Sequence, residues 1–260
     1  MPATPKLELR NVSKSFGAVQ ALTEVGFEVR AGEVMALVGD NGAGKSTLVK
    51  GIAGIQPLDR GEVLFDGAPV SISGPNDAAR SGIEVVYQDL ALCDNLDVVQ
   101  NMYLGRELHD LGYRLNEPEM ERQAAATLDT LGVTTIRSSR QKVASLSGGQ
   151  RQAVAVARAV MWNSNVVILD EPTAALGVTQ TRQVLDLITR LAQQGLPVVV
   201  TSHDLHDVFQ TAARTRARCP ASNPAAHDRK PPPPPEHPSP AAPADTAAKH
   251  YLATAYPHTE

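Results

Sequence analysis

Much that would narrow a function is scarce in this chain. Aromatic residues make up 4% of its 260 residues, and only two cysteines, Cys93 and Cys219, occur. Their separation has no metal-ligand spacing and supports no disulfide framework, which fits a reducing, intracellular setting. No apolar run reaches about 18 residues, the length a membrane-spanning helix needs. Residues 1–16 also lack the apolar stretch of a secretory signal. The formal net charge is −4, so there is no whole-chain basic surplus and no electrostatic case for a nucleic-acid partner. The expectation is a soluble chain that can still dock on a membrane protein.

The scarcity is uneven. Residues 212–260 contain no Gly, Val or Ile, and their only Leu is Leu252, while eleven of the 19 prolines fall there, Pro231 to Pro235 included. Such a composition cannot bury enough apolar surface to offset chain entropy, so this segment is expected to be a disordered tail with local polyproline II. It could serve as a proline-rich ligand or as a solvated extension. The abrupt turn to Ala, Pro, Arg, Thr and His also fits a reading frame lost near 211–213, which would truncate the natural C-terminus.

Residues 1–211 read as an α/β domain. "EVMALVG" at 33–39, "IEVVYQ" at 83–88, "VVILD" at 166–170 and "LPVVVTSH" at 196–203 are short, β-branched and apolar, as buried parallel strands are. "TLVKGIAG" starts a helix. In "TQTRQVLDLITRLAQQG", Val184, Leu185, Ile188 and Leu191 share one helical face, with Gly195 as the cap. The alternation predicts a largely parallel sheet covered by helices. "KLELRNVSKSF" and "TEVGFEVRAGE" predict an antiparallel layer beside it.

"GDNGAGKST" at 39–47 has the spacing of a phosphate loop. Gly39, Asp40, Asn41, Gly42, Ala43, Gly44, Lys45, Ser46 and Thr47 would wrap a phosphate chain between a strand and a helix N-terminus. Lys45 would reach the β- and γ-phosphates, and Ser46 would ligate Mg2+. Asp170 at the tip of "VVILD" supplies a second magnesium ligand, and Glu171 can polarise an attacking water. His203 ends a third strand, within reach of a γ-phosphate. Phosphoryl transfer asks for little more than such positioning and charge neutralisation.

One stretch is odd for an enzyme. "SLSGGQRQ" at 145–152 holds no acid, base or nucleophile. Its Ser147 and paired glycines open an Ala-rich helix. An ordinary helix cap explains Ser147 but leaves Gly148 and Gly149 unexplained.

The order of landmarks is the phosphate loop, Gln88 after "EVVY", "LSGGQ" at 146–150, "ILDEP" and "SH" at 202–203. This resembles the nucleotide-binding domain of ATP-binding cassette (ABC) transporters over nearly all of residues 6–211. The resemblance implies a P-loop NTPase fold: a RecA-like parallel core, an antiparallel layer and a helical subdomain inserted at about 90–162. It implies ATP and Mg2+ as ligands. Phe16 would stack on adenine, and Gln88 would touch Mg2+ and couple to the membrane domains. Asp170 would be the magnesium ligand, Glu171 the catalytic base and His203 the γ-phosphate sensor. Ser147, Gly148, Gly149 and Gln150 would bind the ATP held by a second cassette packed head to tail.

Residues 87–107 and 170–184 are similar to cassettes of ribose, xylose and fructose importers, closest to single-cassette fructose-type members. The resemblance then implies a homodimer beneath transmembrane permease subunits, on the cytoplasmic face of a bacterial membrane. An external sugar-binding protein would deliver a monosaccharide, and no nucleic acid would be involved. Gly177 stands where most cassettes carry Asp. A cassette serving another small solute, or one disabled by a disrupted C-terminus, are the alternatives.

Overall fold

The computed structural model describes residues 4–40, 42–110, 114–162, 164–203 and 214–217. Chain contacts divide the protein into Met1–Lys230 and Pro231–Glu260. All of the second unit lies outside the described residues.

Two sheets organise the first unit. The antiparallel sheet runs in the order β2 (Val19–Val29), β1 (Leu7–Phe16), β4 (Arg60–Phe65), β5 (Ala68–Val70). Alternation builds it: Leu7 and Leu9 are buried, while Arg10 and Asn11 face water. The parallel sheet runs in the order β6 (Ile83–Val86), β7 (Val166–Asp170), β8 (Val198–Ser202), β3 (Val34–Val38), β9 (Arg214–Ala217). Four of these five strands are those expected from apolar runs. The fifth is not: β9 lies beyond the boundary drawn near residue 211, so the described fold extends past it. A ladder is made by backbone groups, and "RTRA" carries no apolar signal to announce one. The other expectations for 212–260 fall outside the described residues.

The continuous apolar runs have a physical reason. Neighbouring residues of β7 feed opposite cores, as strand geometry requires. Val166 and Ile168 pack with Leu7, Leu9, Leu22, Phe27 and the buried side of α1 (Lys45–Ile52), beneath the antiparallel sheet. Val167 and Leu169 pack with α3 (Val98–Tyr103), α4 (Glu117–Thr130), α5 (Gly148–Val160) and α6 (Val178–Gln193). A strand between two cores cannot afford a polar face.

The helices inserted between β6 and β7 do not have a core of their own. Met102, Met120, Leu128 and Val154 join Val86, Leu169, Val198 and Ile188 in one buried cluster. α6 buries Val184, Leu185, Ile188 and Leu191 as expected, and Gly195 follows it at φ +90°.

Candidate functional site

Because β3, β6, β7 and β8 are parallel, their C-terminal ends share one edge of the sheet. The candidate site is built on that edge. β3 ends at Val38, and the loop from Gly39 rises into α1. Gly44 stands at the helix cap with φ +86°, and a Cβ there would lie 2.8 Å from the Ala21 carbonyl oxygen. Only glycine lets the loop lie this close to β2. α1 has no side-chain cap and no acidic residue in its first turn. Its leading N–H groups are thus available to an anion. Lys45 is 6% exposed, and its Nζ donates to the Gly39 carbonyl and, at 3.1 Å, to the Asp40 carbonyl. Among the described residues no carboxylate pairs with it. Gly42, at φ +85°, has open space above it. Asp40 and Ser46 are exposed, Ala43 and Thr47 half-buried. Asn41 lies outside the described residues.

The other strand ends bring the carboxylates. Asp170 Oδ1 accepts a hydrogen bond from Thr201 Oγ1 at 2.6 Å, and the Glu171 N–H donates to that same hydroxyl at 3.0 Å. Glu171 has φ +50°, a left-handed conformation that costs a non-glycine residue about 1–2 kcal/mol. Its Oε2 lies 3.4 Å from His203 Nδ1. The structure therefore brings Asp170, Glu171 and His203 together, and α1, which carries Lys45 and Ser46, packs against β7.

Gln88 is exposed just beyond β6. Burial, followed by the charges of Asp170 and Asp89, pushes the ionisation of its neighbour Tyr87 upward. Leu90 and Ala91 follow with φ +56° and +45°. Their carbonyls each accept a hydrogen bond from the Arg158 guanidinium at 2.8 Å. Arg158 comes from α5, and burial lowers its affinity for a proton. Further on, the fully buried Asn101 side chain bonds both backbone groups of Cys93 and the Asp97 carbonyl.

Arg158→Met should destabilise the chain by about 2–4 kcal/mol, since two charge-assisted bonds vanish and two carbonyls lose their donor. Urea unfolding checks this. Arg158→Lys should recover less than half, because an ammonium lacks the planar fork.

At "LSGGQ", the signature stretch at 146–150, Ser147 caps α5. Its Oγ accepts from the Gln150 N–H at 3.4 Å, and Gln150 Oε1 accepts from the Ser147 N–H at 2.9 Å. Gln150 Nε2 also donates to the Thr135 carbonyl at 2.7 Å. The paired glycines now have a local explanation that the sequence reading missed. A Cβ on Gly148 would lie 2.9 Å from Leu176 Cδ2, and one on Gly149 would lie 3.1 Å from Gln180 Cβ. At Gly149 a side chain would need the start of α6 to give by a few tenths of an ångström, and at Gly148 the end of the Leu176 side chain would have to move. None of the described hydrogen bonds of 147–150 reaches residues 39–47. Gly177, at the α6 cap, has open space at its Cβ position. Phe16, 44% exposed at the end of β1, lies beside Lys14 Nζ, 5.6 Å from the ring centre.

Sequence reasoning overlooked Thr201, Tyr87, Arg158 and Asn101. Two carried a usable signal. Arg158 is the one charge in "AVAVARAV", and Thr201 follows three valines in a buried strand.

A family model described as "ABC transporter" matches residues 22–174. The chain is 46% identical over 220 residues to the fructose import ATP-binding protein FrcA of Rhizobium meliloti, covering 82% of this chain and 85% of that protein. It is 48% identical over 208 residues to the xylose/arabinose import ATP-binding protein XylG of Sulfolobus acidocaldarius, covering 80% and 82%. The ribose import ATP-binding protein RbsA of Yersinia pestis is 42% identical over 214 residues, which make up 82% of this chain but 42% of that protein. Among solved structures, a nucleotide-free ATP-binding cassette from an ABC transporter superposes with a TM-score of 0.72 at 26% identity, covering 82% and 87% of the two chains. A dimeric bacterial ABC transporter cassette gives 0.67 at 26% identity, covering 82% and 94%.

Proposed function

The chain belongs to the ABC transporter family, and from that premise we propose that it hydrolyses ATP to drive monosaccharide import as one half of a homodimer. The observation that carries the reading is Lys45. A buried ammonium with no described carboxylate partner, held by carbonyls beside an uncapped helix start, is complementary to a phosphate chain.

In this reading the 39–47 loop binds the triphosphate and Phe16 offers its exposed face to adenine. Ser46, Asp170 and Gln88 would hold Mg2+. The donor set fits, because it is all oxygen and includes an Asp170 oxygen not committed to Thr201. When bound, magnesium neutralises charge on the β- and γ-phosphate oxygens. Glu171 accepts the proton of the attacking water, and His203, beside it, orients the γ-phosphate. Ser147, Gly148, Gly149 and Gln150 meet the nucleotide of a second copy, whose signature completes this chain's own site. ATP joins the two copies and its hydrolysis separates them.

The partners are transmembrane permease subunits and, indirectly, an external sugar-binding protein. Among the described residues no helix is long and apolar enough to cross a membrane. The chain is placed peripherally on the cytoplasmic face through its permease. Fructose, xylose, arabinose and ribose are the sugars of its relatives' names.

The test is uptake of labelled monosaccharides by cells carrying Lys45→Met in the chromosome. Uptake of at least one of fructose, xylose and ribose should collapse. Unchanged uptake of all three would exclude these sugars as the cargo.

A further inference from the structure

Thr201 has no part in the roles assigned above, yet it touches two of them. It lies opposite Asp170 in the parallel β7–β8 ladder and is 0% exposed. Val198, Val199 and Val200 precede it and are buried with it. A fourth valine would suit that environment, and a buried hydroxyl is costly unless its bonds are made. This one makes both. A backbone N–H can only donate, so Glu171 N–H fixes Oγ1 as acceptor. The single hydroxyl proton is then directed at Asp170 Oδ1.

We propose that Thr201 is a positioning residue for the hydrolytic site, setting the metal-ligand carboxylate of Asp170 and the backbone of Glu171 through one hydroxyl. The proposal rests on the function argued above. The bond to Oδ1 fixes the plane of the Asp170 carboxylate and leaves Oδ2 for a cation. The bond from Glu171 N–H holds that residue at φ +50°, with its carboxylate at His203. Partners of a metal ligand typically change metal affinity by about 10–100-fold when removed.

The experiment compares the full-length wild type with Thr201→Val and Thr201→Ser. Mn2+ is titrated in the presence of a non-hydrolysable ATP analogue and followed by electron paramagnetic resonance. ATP turnover and half-saturation by Mg2+ are measured beside it. Thr201→Val should weaken Mn2+ binding about tenfold and lower kcat, with nucleotide affinity in the absence of metal unchanged. Thr201→Ser should restore most of both. In an Asp170→Asn background the valine substitution should have no further effect on Mn2+ binding. Wild-type Mn2+ affinity and kcat in Thr201→Val would overturn the proposal. If the valine variant does not fold, Thr201→Cys takes its place. A weaker donor there should still cost several-fold in Mn2+ affinity, and an unchanged affinity overturns the proposal. A wild-type chain that binds neither nucleotide nor Mn2+ would instead sink the function on which the proposal rests.

Discussion

Glu171→Gln should lower ATP turnover by about 10²–10⁴-fold, the range a positioned general base supplies, while ATP binding persists. The substitution preserves size and backbone. Glu171, at a left-handed φ of +50°, donates its N–H to the Thr201 hydroxyl, a bond that the amide does not disturb. The contact with His203 Nδ1, 3.4 Å away, remains available to the glutamine side chain. What is lost is the group that accepts a proton from water. ATP should therefore stay intact between the two copies, and the joined state should accumulate. Light scattering with ATP and Mg2+ should show the mass doubling for Glu171→Gln. A variant that stays monomeric and turns over at the wild-type rate would remove Glu171 from the role of base.

Lys45→Met should weaken ATP binding by at least about a hundredfold, because charge-assisted hydrogen bonds are each worth about 1.5–3 kcal/mol. The apo chain should fold normally. Lys45 is 6% exposed, and its Nζ bonds only backbone carbonyls among the described residues. Met fills the same stem and removes a buried charge, which offsets the loss of the donor to the Gly39 and Asp40 carbonyls in a partly exposed loop, so the apo melting temperature should change little. A ligand that binds the folded state raises the melting temperature with its concentration. The wild type should show that rise with ATP, and Lys45→Met should lose it. A variant that keeps the rise would place the triphosphate elsewhere.

Strand ends were the legible part of this protein. "VMALV", "VVIL" and "VVVTS" are buried on both sides, so their composition alone marks them. The residues following them fall on one edge once the strands are parallel. Asp170, Glu171 and His203 are candidates named from those ends, and Lys45 is one named from the spacing of "GDNGAGKST". Partners across the ladder were not legible in the same way. Thr201 meets Asp170 only because β7 and β8 pair in one register, and register is a property of two segments. Arg158 meets Leu90 and Ala91 from nearly 70 positions along the chain. The packing around the paired glycines of "LSGGQ" was not legible either, because Leu176 and Gln180 approach them from the separate segment that opens α6. β9 stayed hidden because it joins through backbone, with no apolar pattern to betray it.

The position of β3 has a consequence for how the protein is made. The strand that leads into the phosphate loop is near the N-terminus, but both of its neighbours, β8 and β9, are near the other end. Val34 pairs with Val198 and Met35 with Arg214. A chain emerging from the ribosome presents "VMALV" with neither lateral partner until those late segments follow. The nucleotide site is written early and assembled late. Such long-range closure slows folding and leaves both edges of that strand unpaired in the nascent chain meanwhile. The first third of the sequence thus depends on the last third to complete its sheet, and a ribosome paused before residue 198 holds a phosphate loop whose strand has neither ladder partner.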